Sequence, residues 1–276
     1  MMKMQLVKNQ TLSEPKLLQN VYFGDNVENE AFVSDHIFSY IIKGSHEVWV
    51  GHKKYSFTAG DYRFFRRNQL AKSIKHPESD GFKSIAVHFD QRTLMEIANE
   101  REFKSERFYG EGVRTVKSNL LLEKSVEELS EFALSKNVNA EVLRVKIKEL
   151  ILILADSDPE IKQMLFEFSD PGKLDLEAFM NGHYRYNVPL EKFAFLTGRS
   201  LSGFKRDFAR LFGITPSRWL TRQRLSEAKY LLENNMQRPS EIYLEIGFAN
   251  ISHFTYAYKK EFGTTPTRKT LINKNK

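Results

Sequence analysis

The sequence predicts an α+β chain: strands first, as a sandwich or barrel, then helices, then an all-α C-terminal domain of two helix-turn-helix motifs joined by a long helix. Three observations carry that expectation. Aromatic and β-branched residues recur with period two as far as Asp90, apolar residues recur at helical spacing beyond it, and the last third repeats itself at an offset of fifty positions. A chain of 276 residues that is 41% hydrophobic and 28% charged has apolar material for one large domain or two ordinary ones, which excludes global disorder. The expected divisions are a β-rich segment over 1–90, a helical segment over 91–172 ending at the breaker Ser169-Asp170-Pro171-Gly172, and the helical repeat over 173–276.

Several classes fall away at once. Behind Lys3 and Lys8 there is no apolar stretch of the kind a secretory signal needs, and the longest apolar run, Leu150 to Ala155, is far short of the roughly 20 residues of a membrane span. No membrane crossing is expected, and the chain is expected in the cytoplasm. With no cysteine, disulfides, thiolate nucleophiles and cysteine-ligated metals are excluded.

The strand-rich segment runs from about Val21 to Asp90. Ile37 to Ile42 ends at Lys43-Gly44; Glu47 to Val50 then turns through Gly51-His52-Lys53-Lys54 into Tyr55-Ser56-Phe57, a hairpin pattern. Thr58-Ala59-Gly60-Asp61 turns into Tyr62 to Phe65, and Ile85, Val87 and Phe89 alternate with Ser84, Ala86 and His88 as in a half-buried strand. A barrel of such strands can enclose a ligand. His36, His46, His52, His76 and His88 offer imidazoles, but no two lie two residues apart, the spacing that puts neighbours on one strand face, so no metal site and no cofactor are expected. Arg63, Arg66, Arg67, Lys72 and Lys75 read as solvated strand ends in preference to the site of an anionic ligand.

Beyond Asp90 the spacing turns helical. Leu94, Ile97 and Ala98 share a face, as do Val126, Leu129, Phe132 and Ala133. Leu143, Ile147, Leu150 and Leu154 then form a stripe, with Val142, Val145, Ile151 and Ile153 in excess of what one core face requires. Two explanations stand: a homodimer contact through that stripe, or burial between two domains.

Charge is unevenly divided. Residues 173–276 hold 18 Lys and Arg against 9 Asp and Glu, net +9, while the rest of the chain is net −2. That third also contains the repeat. Phe204 matches Phe254, Phe208 matches Tyr258, Phe212-Gly213 matches Phe262-Gly263, and Thr215-Pro216 matches Thr265-Pro266, with Arg218 and Arg268 behind them and Pro189 and Glu191 matching Pro239 and Glu241 upstream.

Each copy reads as helix, tight turn, helix. In the first, Leu190 to Leu196 is a short helix, Thr197-Gly198-Arg199 turns, and Ser200 caps a helix that buries Leu201, Phe204, Phe208, Leu211 and Phe212 and turns Ser202, Lys205, Arg206 and Arg210 outward. In the second, Gly247 turns, Asn250 caps, Ile251, Phe254, Tyr258 and Phe262 face inward, and Ser252, Thr255, Tyr256, Lys259 and Lys260 face outward. A helix anchored by one apolar face and basic on the other can enter a major groove, where Lys and Arg donate to guanine or to phosphate. Between the copies, Thr215 and Pro216 open a helix to about Asn234 with a buried stripe of Leu225, Ala228, Leu231 and Leu232. About 18 residues give a strut of roughly 27 Å, against the ~34 Å between successive major-groove turns.

At these residues the chain resembles the AraC/XylS family of transcription regulators. Gly247 to Pro266 looks like the family's signature, and Leu190 to Leu220 is similar to its more variable first helix-turn-helix. The resemblance implies base contacts at Ser202, Lys205 and Arg206 and at Ser252, Thr255 and Tyr256. Tyr256 stands where many members carry a polar or basic side chain, which shifts the second helix toward thymine-methyl and phosphate contacts. The resemblance further implies a cupin-like sensory or dimerising barrel in front, double-stranded DNA and RNA polymerase as partners, a small-molecule or protein effector, activation of transcription and no catalysis. The helical middle and Arg66-Arg67 look like the branch that activates type III secretion genes. Two rivals remain: a metal enzyme on the cupin-like barrel with a DNA-binding appendage, and a protein-interaction module that dimerises through Leu143–Leu154.

Overall fold

The computed structural model describes residues 16–135, 139–234 and 237–266; Lys3, Lys8 and Arg268 lie outside them. The chain divides into two compact units, one built mainly from residues up to 169 and the other mainly from residue 170 onward.

In the first unit, β1 (Lys16–Tyr22), β2 (Val27–Val33), β3 (His36–Lys43), β4 (Ser45–Val50), β5 (Lys53–Thr58), β6 (Tyr62–Phe65), β7 (Gln69–His76), β8 (Phe82–Phe89) and β9 (Val113–Val116) form two sheets, a five-stranded one in the order β1-β8-β3-β6-β9 and a four-stranded one in the order β2-β7-β4-β5. Ring contacts such as Phe57–Phe65 at 6.2 Å and His46–Phe82 at 6.1 Å join the two sheets face to face. The β4–β5 hairpin pairs Val50 with Lys53, so its turn is Gly51-His52 alone, with Gly51 at φ 59°. Lys53 and Lys54, expected in the turn, already belong to β5, because a two-residue turn with positive φ follows the twist of the strands.

Helices α1 (Gln91–Glu100), α2 (Leu120–Leu134), α3 (Ala140–Ser157) and α4 (Pro159–Leu165) start at Asp90, Asn119, Asn139 and Asp158, whose side chains accept backbone N–H groups of the first turn. They pack on the far side of the five-stranded sheet. Phe38, Phe64, Val87 and Phe89 share one core with Leu94 and Ile97 of α1, Val126 and Leu129 of α2, and Ile147, Leu150 and Leu154 of α3. Residues on both sides of position 90 therefore build a single core. The central strands of this sheet are buried on both faces, which period-two alternation alone does not reveal.

Three expectations are corrected here. The segment after Asp90 is not purely helical: β9 returns to pair antiparallel with β6, Val113 opposite Phe65 and Val116 opposite Tyr62. A four-residue run preceded by Gly110 and Gly112 is too short to show a period. The stripe Leu143, Ile147, Leu150, Leu154 is not a protomer contact, since Ile147, Leu150 and Leu154 are fully buried and Leu143 packs against the same core. Nor are the strand cations all solvated. Arg63 and Arg67 are buried, Arg66 pairs with Glu167, and the Arg67 guanidinium donates to the Glu167 carbonyl at 3.0 Å. Odd-numbered side chains of β6 point between the sheets, and that carries Arg63 inside.

The second unit is helical: α5 (Leu176–His183), α6 (Leu190–Leu196), α7 (Leu201–Phe212), α8 (Pro216–Asn234), α9 (Pro239–Ile242) and α10 (Ile251–Phe262).

Burial gives the first unit a pH dependence. Burial holds the His46 imidazole down to about 2, helped by the charges of Arg63, Lys75 and His76, and it holds His36 well below its usual value, helped by Arg67 and Arg66. The unfolded chain binds protons at these rings below about pH 6.5 and the folded chain does not, so stability is complete above that pH and lost below it. Urea unfolding of the full chain, followed by Trp49 fluorescence with Trp219 replaced by Phe, is expected to show stability falling by about 1.4 kcal/mol per pH unit for each of the two rings as pH drops from 6 toward 5.

Candidate nucleic-acid interface

The first motif is held at its turn. Thr197 closes α6 by donating its hydroxyl to the Phe193 carbonyl at 2.9 Å, and Gly198 follows at φ 65°. A Cβ on Gly198 would lie 2.5 Å from the Gly172 carbonyl carbon, so the turn needs glycine for both conformation and space. Ser200 then caps α7, its Oγ accepting from the Gly203 N–H at 3.2 Å. In the second motif Asn250 does the same for α10, accepting from His253 N–H at 2.8 Å. Gly213 at φ 70° and Gly263 at φ 74° end the two helices in the left-handed conformation.

Below the caps, each recognition helix is fastened by aromatic rings one turn apart. Phe204, Phe208 and Phe212 contact in series at 5.6 and 4.4 Å, and Trp219 of α8 closes on Phe208 and Phe212 at 5.6 and 5.0 Å. In the second motif Phe254, Tyr258 and Phe262 contact at 5.8 and 4.7 Å, with Phe248 on Phe254 at 5.3 Å. These ladders take most of the buried face, with Leu201 packed beside the first and Ala257 beside the second. As a result Leu211 and Ile251, both expected to be anchors, are 49% and 40% exposed.

Opposite the ladders lie the residues expected to contact DNA. Ser202, Lys205, Arg206 and Arg210 are all exposed on α7; on α10, Ser252, Tyr256, Lys259 and Lys260 are exposed and Thr255 is half-buried. Asp207 was not expected in this group. Its carboxylate accepts from Arg199 Nε at 3.2 Å and from Arg210 at 3.3 Å, and Arg206 Nε lies 3.7 Å away. The Arg199 hydrogen bond, with the charges of Arg210 and Arg206 behind it, holds this carboxyl below its usual range. Asp207 thus partly neutralises two of the three α7 cations and leaves Lys205 with no ion pair among the described residues. The signal for it in the sequence was the Asp207/Arg210 spacing of three.

Comparison with known proteins agrees with this geometry. Residues 193–269 match the helix-turn-helix domain family, and residues 36–165 match the ExsA N-terminal regulatory domain. Those matches give the chain an AraC-type helix-turn-helix domain behind an ExsA-type regulatory domain. The HTH-type transcriptional regulator ExsA of Pseudomonas aeruginosa is 33% identical over 126 residues, 45% of this chain and 45% of its own. The virulence regulon transcriptional activator VirF of Yersinia enterocolitica is 30% identical over 153 residues, 55% of this chain and 56% of its own. The chain spans about half the length of the curated relatives it matches. A crystal structure of an apo ToxT variant from Vibrio cholerae covers 92% of this chain and 97% of its own at 14% identity, with a TM-score of 0.45.

In this AraC-type domain a further residue that the sequence did not single out sits at the middle of α8. Arg224 donates from Nε to the Tyr184 carbonyl at 2.8 Å and from Nη2 to the Tyr186 carbonyl at 2.9 Å; burial lowers its pKa to about 10, so it stays charged at neutral pH. A Cβ on Gly247, the turn glycine of the second motif, would lie 2.1 Å from the Arg185 carbonyl oxygen and 2.8 Å from Arg224 Nε. Arg224 thus ties the loop after α5 to α8, close against the turn glycine of the second motif.

The exposure of Leu211 against the burial of Phe208 sets a direct comparison. Phe208→Ala is expected to cost about 3–5 kcal/mol through the cavity it leaves, and Leu211→Ala to stay within about 0.5 kcal/mol, both read by urea unfolding.

Proposed function

We propose that the chain is a sequence-specific DNA-binding transcription activator, with two recognition helices reading adjacent major-groove segments and an N-terminal unit governed by a small-molecule or protein effector. The observation that carries this reading is the exposed row Ser202, Lys205, Arg206 and Arg210 on α7, echoed on α10 by Ser252, Thr255, Tyr256, Lys259 and Lys260. Lys205 and Arg206 donate to guanine O6 and N7, and Ser202 lies beside them for either strand's base edge or phosphate. Arg210, Lys259 and Lys260 take phosphates. Thr255 and Tyr256 present methyl and ring surface to thymine methyl groups, and Ser252 adds a hydroxyl at the helix start. Helix α8, 19 residues long, spans about 28 Å and spaces the two readers along one face of the duplex.

The curated relatives carry the names of transcriptional regulators and activators, which supports recruitment of RNA polymerase by DNA-bound protein as the output and gives no support to an enzyme. No helix among the described residues is long and apolar enough to cross a membrane, and we place the chain in the cytoplasm with its DNA. With the Leu143–Leu154 stripe in the core, we assign a homodimer contact to the apolar side chains that α3 leaves in solvent, Val142 and Val145 one turn apart, the latter 62% exposed. Light scattering that reports a monomer at micromolar concentration overturns that assignment.

Selection from a random duplex pool tests the central reading. Wild-type full-length chain is expected to enrich one motif, and the Lys205→Ala, Arg206→Ala double variant to bind DNA at low salt without enriching it; enrichment of the same motif by the variant removes base reading from α7. Binding of the enriched duplex is expected to weaken with salt by about 0.9 log units per tenfold salt for each phosphate contacted. Replacing both Arg210 and Lys259 by alanine should flatten that slope by about 2. An unchanged slope takes these two side chains off the phosphates.

A further inference from the structure

Between the two sheets of the N-terminal unit lies a buried cluster that lacks acceptors. Arg63 of β6 is 2% exposed and His46 of β4 is 7% exposed. The Arg63 Nη2 group donates to Ser39 Oγ at 3.2 Å, and Ser39 itself donates to the Ile85 carbonyl at 2.8 Å, so the hydroxyl's single proton is used there and its lone pair serves the guanidinium. Arg63 Nη1 donates to His46 Nδ1. A ring nitrogen that accepts carries no proton, which leaves the imidazole neutral with its proton on Nε2.

This wiring leaves two nitrogens with no partner among the described residues, Arg63 Nε–H and His46 Nε2–H, and leaves each guanidinium Nη with a second N–H beyond the one that Ser39 or His46 takes. Both unpartnered nitrogens are buried. An orphaned donor on a cation is costly in a protein interior, where the charge itself already needs compensation. The Phe57 and Phe65 rings, 5.5 and 5.7 Å from the guanidinium, ease that cost but take no directed hydrogen bond from Nε.

The charges nearby do not supply the missing acceptor. Asp61 favours the charged guanidinium from a distance, but its Oδ2 accepts the Thr58 N–H at 2.6 Å. Glu47 neighbours His46 along β4, so alternation turns it to the opposite face, where it pairs with Lys54 at 2.6 Å. The remaining neighbours are His76, whose Nε2 lies 3.4 Å from the Glu47 carboxylate, and a second cation. Lys75 lies over the Tyr22 ring at 4.4 Å and the Phe82 ring at 5.8 Å, and its charge reaches His46. Burial brings Arg63 down to about 9, so it is still protonated at neutral pH. The interior therefore holds one buried positive charge and two nitrogens without a partner among the described residues, with the half-buried Lys75, whose Nζ donates to Tyr22 Oη at 3.3 Å, beside them and no carboxylate on the guanidinium.

We propose that the interior of the N-terminal sandwich binds a small oxyanion, held by a two-oxygen fork on Arg63 Nε–H and Nη2–H, by a hydrogen bond from His46 Nε2–H, and by the longer-range charge of Lys75. The guanidinium fork matches a carboxylate or a phosphate edge, and the apolar walls at Phe57, Phe65 and Phe82 favour a compact ligand. This deepens the reading of the N-terminal unit as effector-governed and rests on it, since it assigns that effector a chemical class.

The test uses the full-length chain at fixed ionic strength, titrated calorimetrically with inorganic phosphate and, separately, with acetate, succinate and citrate, chloride being the background anion. Saturable binding of at least one probe is expected, with phosphate alone indicating an inorganic source, a carboxylate alone a metabolite source. The basic surface of the DNA-binding unit also attracts anions, so variants decide the location. Arg63→Met, which keeps the volume without the charge, is expected to weaken binding at least tenfold. Should that variant fail to fold, Lys75→Gln, at a less buried position, is expected to weaken it several-fold, and the His46 Nε2–H resonance of the wild type is expected to shift with the same saturation curve. No saturable binding of any probe, or binding that Arg63→Met and Lys75→Gln leave unchanged, overturns the inference. Random-duplex selection on the same preparation keeps the two readings apart: DNA selection without anion binding sinks this site alone, and anion binding without DNA selection sinks the regulator and leaves the site.

Discussion

Helix α8 is buried at both ends in different cores, and the arrangement of the DNA-facing half depends on that. Its first turns give Trp219 and Leu220 to the core that holds Phe193, Phe204 and Phe208, while Leu225, Ala228 and Leu232 go to the core that holds Ile242, Phe254 and Tyr258. One rigid element shared by two cores fixes the offset and rotation of α7 relative to α10. Arg224, between the two groups of buried residues, closes the remaining gap by satisfying carbonyls at 184 and 186. Without that shared burial the two motifs are two short helix pairs on a tether, and the rows of exposed cations have no common geometry.

The N-terminal unit is organised by a different constraint. Its five-stranded sheet is covered on one side by α1–α4 and on the other by the second sheet, so most side chains of β3, β6 and β8 are removed from water. Apolar residues meet that condition easily. Arg63, His46 and Ser39 meet it only through one another, in a chain of hydrogen bonds that runs from the Ile85 carbonyl to the imidazole. Nearby, Arg67 and His36 are wired the other way, the Arg67 N–H donating to His36 Nδ1 at 3.2 Å and the guanidinium reaching the backbone of Glu167. Position in the strand register, more than residue type, separates a solvated cation from a buried one.

The helical repeat was legible because its signals are local. A glycine at φ 70° or 74°, a Ser or Asn cap and aromatic residues four apart each impose their structure within one or two turns, so the boundaries of α7 and α10 follow from reading alone. The surface residues followed too, since on a helix the face opposite a fixed ladder is determined by geometry. Asp207 and Arg224 did not, because what matters about them is a partner eight or forty residues away. Strand β9 was hidden for a related reason: four residues gain their identity from pairing with β6, and nothing in Val113 to Val116 taken alone requires it.

The sequence by itself determined the strand-rich start and the helical end of the chain, the duplicated helix-turn-helix, the cationic faces of α7 and α10, and through these the AraC resemblance. It did so because caps, turns and periodicity act over a few residues. Only the tertiary structure decided which apolar stripes are core and which cations are buried. The same spacing of Leu143, Ile147, Leu150 and Leu154 serves a protomer contact or an interior equally well, and the same Arg63 a solvated edge or a sealed interior; the outcome depends on which distant element covers that face, and α1, α2 and the second sheet supply the cover.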